Sequence, residues 1–147
     1  MSPTRNILQI FLCQLLLLFS NSILGQKHYE IELDPIHFDL ISSCNLYDTF
    51  LVFNSDQELK ANICIKSYDS IDFKTHSAIL VSQGLPTYKS KLTIKLFKIQ
   101  DENLYNLVCT IVVGDKVASP ATIAYQLFSI QKLKESDSLY YTIVKTP

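Results

Sequence analysis

From residue 29 onward, apolar and polar positions alternate mostly with a period of two. Tyr29, Ile31 and Leu33 alternate with Glu30 and Glu32, which sends one face inward and the other to water. Pro35 interrupts, and the pattern resumes over 36–41. A short apolar run, Thr49–Phe53, leads into Asn54-Ser55-Asp56-Gln57, a turn composition. Leu59, Ala61, Ile63 and Ile65 then alternate with Lys60, Asn62, Cys64 and Lys66, the most regular half-buried strand pattern in the chain. Residues 67–75 are polar and irregular and are expected to form a loop. Strands are expected over 77–82, over 92–99 (Leu92, Ile94 and Leu96 alternating with lysine and threonine) and over 104–113. The turns between them are Gly84-Leu85-Pro86 and Gln100-Asp101-Glu102-Asn103. A last pair, 125–133 and 139–145, is joined by Glu135-Ser136-Asp137-Ser138.

One segment, 120–134, reads two ways. Ser119-Pro120 suits a helix cap with proline at the first helical position, and Ile123, Leu127, Ile130 and Leu133 sit at helical spacing. As a strand, Ile123, Tyr125 and Leu127 share a face. The strand reading is preferred, with one short helix near 120–134 as the alternative. Residues 96–112 and 127–144 echo each other (Leu96-Phe97-Lys98-Ile99-Gln100 against Leu127-Phe128-Ser129-Ile130-Gln131), but at unequal offsets. Repeat folds need a fixed period and several copies. Two successive hairpins of similar composition are the simpler expectation. The pattern as a whole predicts an all-β fold: a single antiparallel β-sandwich of eight or nine short strands.

The first 25 residues follow other rules. Arg5 precedes the apolar run 7–19, and Ser20-Asn21-Ser22 and Gly25 supply small residues for a cut. This is the layout of a secretory signal peptide, and the run is shorter than the ~20 apolar residues of a spanning helix. Cleavage after Ser22 or Gly25 is expected. Cutting after Gly25 leaves 122 of the 147 residues, 26–147, as one secreted domain. The C-terminal residues 143–147 carry neither an apolar tail nor an ER-retention signal, so no membrane anchor is expected.

Arg5 is the only arginine. Without it the 13 basic residues fall to 12 against 14 acidic ones, a formal charge of −2. An acidic domain without arginine is poor material for reading phosphates and base edges, so no nucleic-acid partner is expected. Cys13 leaves with the leader, and Cys44, Cys64 and Cys109 remain. An odd count in an oxidising compartment predicts one bridge plus a leftover thiol, or a dimer through a free cysteine. On the predicted 59–65 strand Cys64 points outward, and Cys44 lies in a loop. Cys109 shares an apolar face with Tyr105, Leu107, Ile111 and Val113. The favoured disulfide is therefore Cys44–Cys64 with Cys109 buried as a small apolar side chain, and Cys44–Cys109 is the alternative.

Candidate chemistry is sparse. His28, His37 and His76 form no close-spaced pair, and the cysteines show no C-x-x-C spacing, so neither a metal site nor any cofactor is expected. No G-x-S-x-G elbow occurs. The paired acids Asp101-Glu102 and Glu135-Asp137 fall in predicted turns, where water keeps them ionised, whereas general acid work needs a desolvated carboxyl. No catalytic residue is expected. Lys89, Lys91, Lys95 and Lys98 punctuate an aggregation-prone strand, as lysines on a sheet edge do. Tyr140-Tyr141 puts one ring on each face of the last strand. Tyr140, Tyr141, Lys91 and Lys95 are the candidate interaction surface.

Two other functions compete with a binding protein that acts on a protein partner through an edge strand or end loops. Gly84-Leu85-Pro86-Thr87-Tyr88, the 92–99 strand, a polar turn and the 104–113 strand with Cys109 together resemble the closing hairpin of the lipid-recognition sandwiches that include sterol carriers. That resemblance implies an extracellular lipid-binding carrier with an apolar cavity between its sheets. The family's additional paired cysteines are missing, and the chain continues well past the point where that fold ends. A protease inhibitor is the third reading, with Gly84-Leu85-Pro86 as the candidate loop.

Overall fold

The structure is a computed structural model and describes residues 27–147 except Ile63, Tyr88, Asp101 and 115–121. The predicted leader, and Ser119-Pro120 of the suggested helix cap, lie outside the described residues. Those residues form ten strands and one short helix: β1 (His28–Ile31), β2 (Asp34–Ile36), β3 (Phe38–Leu40), β4 (Thr49–Phe53), α1 (Asp56–Ala61), β5 (Ile65–Tyr68), β6 (His76–Leu85), β7 (Lys91–Ile99), β8 (Leu104–Val112), β9 (Thr122–Gln131) and β10 (Ser138–Thr146). One sheet has the order β1-β7-β8-β10, a second β2-β9-β6-β4, and β3 pairs with β5 alone.

The all-β sandwich is present, with additions that the alternation did not reveal. Between the two large sheets, Leu96, Leu107 and Cys109 from one side meet Ile79, Val81, Phe128 and Ile130 from the other. The second sheet is covered on its other face as well. There Ala78, Leu80 and Leu127 pack with Phe53, Leu59 and Ile65, with Phe38, Leu46 and Tyr68 around them. Successive residues of β6 thus serve two cores in turn, and Ser77 to Gly84 is buried without a break. A strand buried on both faces needs no polar alternation, hence the run Ala78-Ile79-Leu80-Val81. The layers are therefore the first sheet, the second sheet, and a cover made by α1 and the β3–β5 pair.

The 59–65 strand is corrected. Residues 56–61 are helix α1, and only Ile65 begins a strand, β5, which also takes the first two residues of the expected 67–75 loop. The cause is a variant capping box at Ser55-Asp56-Gln57-Glu58, in which Glu58 reaches past the cap to the residue before it. The Ser55 side chain accepts the Glu58 N–H (3.2 Å), and Glu58 Oε2 accepts the Asn54 N–H (2.6 Å). Leu59 is fully buried beneath the helix, so one apolar anchor satisfied both patterns. The short helix near 120–134 is corrected in turn, because Thr122–Gln131 is strand β9, paired antiparallel with all ten residues of β6.

The antiparallel expectation holds for every pair but one. β10 runs parallel to β8 over nine residues, from Ser138 opposite Leu104 to Thr146 opposite Val112. The expected final hairpin is also absent, because β9 and β10 lie in different sheets. Lys132 N–H donates to the Thr75 carbonyl (2.8 Å) at the end of β9. A turn closed by Asp137 Oδ2 on the Lys134 N–H (2.8 Å) follows, and Ser138 N–H then donates to the Asn103 carbonyl (2.8 Å). The chain thus crosses the sandwich and enters beside β8 pointing the same way. The sequence echo is therefore one hairpin, β7–β8, and one crossover.

Near the start, β1, β2 and β3 enter three different sheets within 13 residues, His28 to Leu40. Pro35 is tolerated inside β2 because that strand is an edge. The Gly84-Leu85-Pro86 turn is corrected too: β6 continues to Leu85, which pairs with Thr122. A Cβ on Gly84 would overlap the ring end of Tyr47, an exposed side chain that would have to swing aside.

Candidate interaction surface

Cys44 and Cys64 form the disulfide, and Cys109 is free and buried. Cys64 pairs with Cys44 as expected, but not from the outward face of a strand. Cys64 follows α1 rather than lying on a strand, and it is buried at 3% exposure. Its partner loop is fixed further: the Tyr125 hydroxyl donates to the Leu46 carbonyl (3.2 Å), and Ser82 Oγ does so at 2.6 Å. The bridge thus ties the cover layer to the loop that enters β4. Cys109 is fully buried, so the free-thiol dimer would require the sheets to part.

Polar side chains do converge between the sheets. Gln83, fully buried on β6, donates from Nε2 to Asp48 Oδ1, and the Gly84 N–H donates to the same oxygen (2.8 Å). The Tyr141 hydroxyl on β10 donates to Gln83 Oε1 (2.8 Å), and its ring lies 5.1 Å from that of Phe50. Asp48 reaches this position from a left-handed backbone conformation (φ 46°). Burial, and then contact with the Cys109 thiol, push the Tyr141 ionisation upward. Burial likewise raises that of Cys109, which favours the thiol over the nucleophilic thiolate. Gln83 is fully buried, Tyr141 half-buried and Asp48 exposed, every polar atom of the cluster is satisfied and its ionisable thiol and phenol are held protonated, so it works as a clasp between β6 and β10. A signal for it existed: Gln83 shares parity with Ile79 and Val81 on an otherwise apolar inner face.

The remaining candidates stay apart. His28 and His37 are exposed and His76 is half-buried; among the described residues no group of acids, histidines and cysteines is placed to hold a metal. His76 Nδ1 meets Thr75 Oγ1 (2.8 Å), which also bonds Asp72 Oδ2 (2.9 Å). The Thr75 hydroxyl and then the Lys74 N–H hold the Asp72 carboxyl below its ordinary value. This is turn chemistry in an exposed loop. Of the paired acids, Glu135 and Glu102 are exposed, Asp137 closes the 134–137 turn, and Asp101 lies outside the described residues.

The outer face of the first sheet is different, because no described layer lies over it. Register places Phe97, Asn106 and Tyr140 in one row across β7, β8 and β10. Lys95, Val108 and Thr142 form the next, then Thr93, Thr110 and Val144, then Lys91, Val112 and Thr146. Tyr140 is 60% exposed, Val112 42% and Val144 39%. Ile99, Leu104, Asn106, Tyr140 and Thr142 line an open groove of about 320 Å³, and Thr142 Oγ1 donates to Asn106 Oδ1 (2.9 Å) in it. Lys95 pairs with Glu30 (3.0 Å), and Lys98 lies over the Tyr105 ring (5.4 Å). β7 is an inner strand, but β1 covers only its Leu96–Ile99 half, so Lys91 and Lys95 lie on the half without that neighbour. Of the four predicted surface residues, Tyr140, Lys91 and Lys95 lie on this face, whereas Tyr141 points inward and belongs to the clasp.

One edge of this sheet is also open among the described residues. In a parallel ladder every second residue directs both N–H and C=O to its neighbour. Ser138 N–H donates to Asn103, and the Thr146 carbonyl accepts from Val113 (2.9 Å), so the even-numbered residues of β10 face β8. Leu139, Tyr141, Ile143 and Lys145 therefore turn their backbone groups to the free edge. Comparison of the chain with protein-family models, with curated proteins and with solved structures finds no match.

Proposed function

We propose that this is a secreted, non-enzymatic binding protein that engages a protein partner through the outer face of the β1-β7-β8-β10 sheet. The observation that carries this reading is the contrast between the two sheets. Both faces of the second are covered, whereas the first leaves one face bare with Tyr140, Val112 and Val144 in the open. Water-exposed aromatic and branched side chains around a groove are the composition of an interaction patch. Lys91 at the end of β7 gives that patch a positive rim, so the complementary partner surface is apolar at its centre with a carboxylate facing Lys91. The Cys44–Cys64 bridge fits an oxidising compartment, as the leader pattern does. No helix among the described residues is long and apolar enough to cross a membrane.

The competing readings have less support. A lipid carrier needs a hollow interior, and here Leu96, Leu107, Ile79, Val81 and Phe128 occupy the space between the sheets. An inhibitor needs an exposed rigid loop, and Gly84 and Leu85 are paired residues of β6. Photo-crosslinking tests the proposal. A photoreactive phenylalanine analogue replaces Tyr140 in one secreted protein, and Lys66 on the cover layer in another. Irradiation in the medium of the producing cells is expected to give a discrete adduct with a second, different protein at position 140 and none at 66. Equal labelling at both positions, or none at 140, contradicts the proposal.

A further inference from the structure

We infer that two copies of this chain pair edge to edge through β10, antiparallel, with Tyr141 opposite its own counterpart, to make one continuous eight-stranded sheet. The inference shares with the proposed function only the openness of the β10 side of the molecule. It begins from how the four edges of the two large sheets are treated among the described residues. β2 is three residues long and contains Pro35, β1 has four residues and β4 five. β10 has nine, with no proline and no break in its register with β8. Isolated proteins blunt their edges with short strands, proline, bulges or charge. By those measures β10 is the one edge left ready to pair.

An unpaired edge requires an extended strand as its occupant, because only main chain satisfies a row of alternating donors and acceptors. The charges on β10 indicate which strand. Asp137 immediately precedes it, Lys145 lies near its end, and no other charge falls between them. A second copy laid antiparallel brings the acidic start of each strand to the basic end of the other. Only odd-numbered residues turn their backbone outward, so they must pair with odd-numbered residues. The register with Tyr141 at the two-fold axis meets that condition. It sets Leu139 against Ile143 of the other copy and Asp137 against Lys145, each twice by symmetry. On the outer face Tyr140 meets Thr142, which joins the two bare faces into one. Cross-strand pairs of opposite charge and of apolar residues stabilise such a ladder, and like charges opposite each other oppose it.

The test is the molar mass of the secreted protein by sedimentation equilibrium across a concentration series, with circular dichroism to confirm folding. A monomer–dimer equilibrium is expected. Ile143→Pro removes an N–H that faces the free edge and leaves the β8 ladder intact, so it should give a folded monomer. Lys145→Glu places a carboxylate opposite Asp137 and should weaken the dimer roughly tenfold, about 1.4 kcal/mol. A wild-type monomer at every concentration overturns the inference, as does a dimer indifferent to both Ile143→Pro and Lys145→Glu. A monomer that still forms the Tyr140 adduct overturns this inference alone. A β10-dependent dimer whose position-140 adduct is only with a second copy of this chain supports it and removes only the heterologous partner.

Discussion

The Tyr141 hydroxyl of β10 donates to Oε1 of Gln83 on β6 across 2.8 Å, one sheet fastened to the other by two side chains that share a buried site. Tyr141→Phe keeps the ring against Phe50 but leaves Gln83 Oε1 short of its donor. The expected cost is about 1–3 kcal/mol, read as a lower urea midpoint with unchanged slope. Gln83→Leu should cost a similar amount, because it strands the Tyr141 hydroxyl, whereas Asp48 is exposed and keeps the Gly84 N–H.

The disulfide closes a loop with a sequence separation of 20, and double replacement of Cys44 and Cys64 by serine should cost about 2–4 kcal/mol. Non-reducing peptide mapping should recover the Cys44–Cys64 peptide. Cys109 should resist a thiol reagent in the folded protein and react in denaturant. Ready labelling of Cys109 under native conditions would contradict its place between the sheets.

The capping box decides whether residues 56–61 are helical. Ser55→Ala removes the acceptor for the Glu58 N–H and should cost about 1 kcal/mol. Glu58→Gln retains the reciprocal acceptor and should cost less. Equal losses in the two urea titrations would mean that the box does not hold α1.

Stability should decline at alkaline pH. Burial, and then the Asp56 carboxylate, raise Tyr68 to about 12 from an ordinary 10.0, and Tyr141 and Cys109 shift in the same direction. Below the ordinary values both folded and unfolded chains hold these protons, and stability is whole. Above them the unfolded chain ionises first, so stability falls as pH rises, from about 9 for the thiol and from about 10 toward 12 for Tyr68. Asp56 (held down by Lys60, then Tyr68) and Asp72 act in the opposite direction. Their contribution is present above 3.8 and is lost as pH falls through their lowered values. Melting temperature against pH should show both limbs, and Tyr68→Phe should flatten the alkaline one.

The strands were legible where one face is wet. Leu92, Ile94 and Leu96 alternate with Lys91, Thr93 and Lys95, and β7 lies where that pattern put it. Register, partners and layers were not. Period two is silent on whether β9 and β10 pair with each other or in different sheets, since that depends on what the 134–137 turn bonds to. Alternation misled at Leu59, where the Ser55–Glu58 capping box was the better signal. In the candidate surface Tyr140 was legible by parity with Tyr141. Phe97, Leu104 and Val112 were not, because an apolar residue on the outer face of a sheet looks in sequence like any other core residue.

Amide exchange in β10 tests the open outer sheet most directly. In dilute, monomeric protein, site-resolved hydrogen–deuterium exchange should alternate along the strand. The amides of Ser138, Tyr140, Thr142, Val144 and Thr146, which face β8, should be slow. Those of Leu139, Tyr141, Ile143 and Lys145 should be fast. Uniform protection of all nine at dilution would mean that the edge is already occupied within one chain, and would contradict the account.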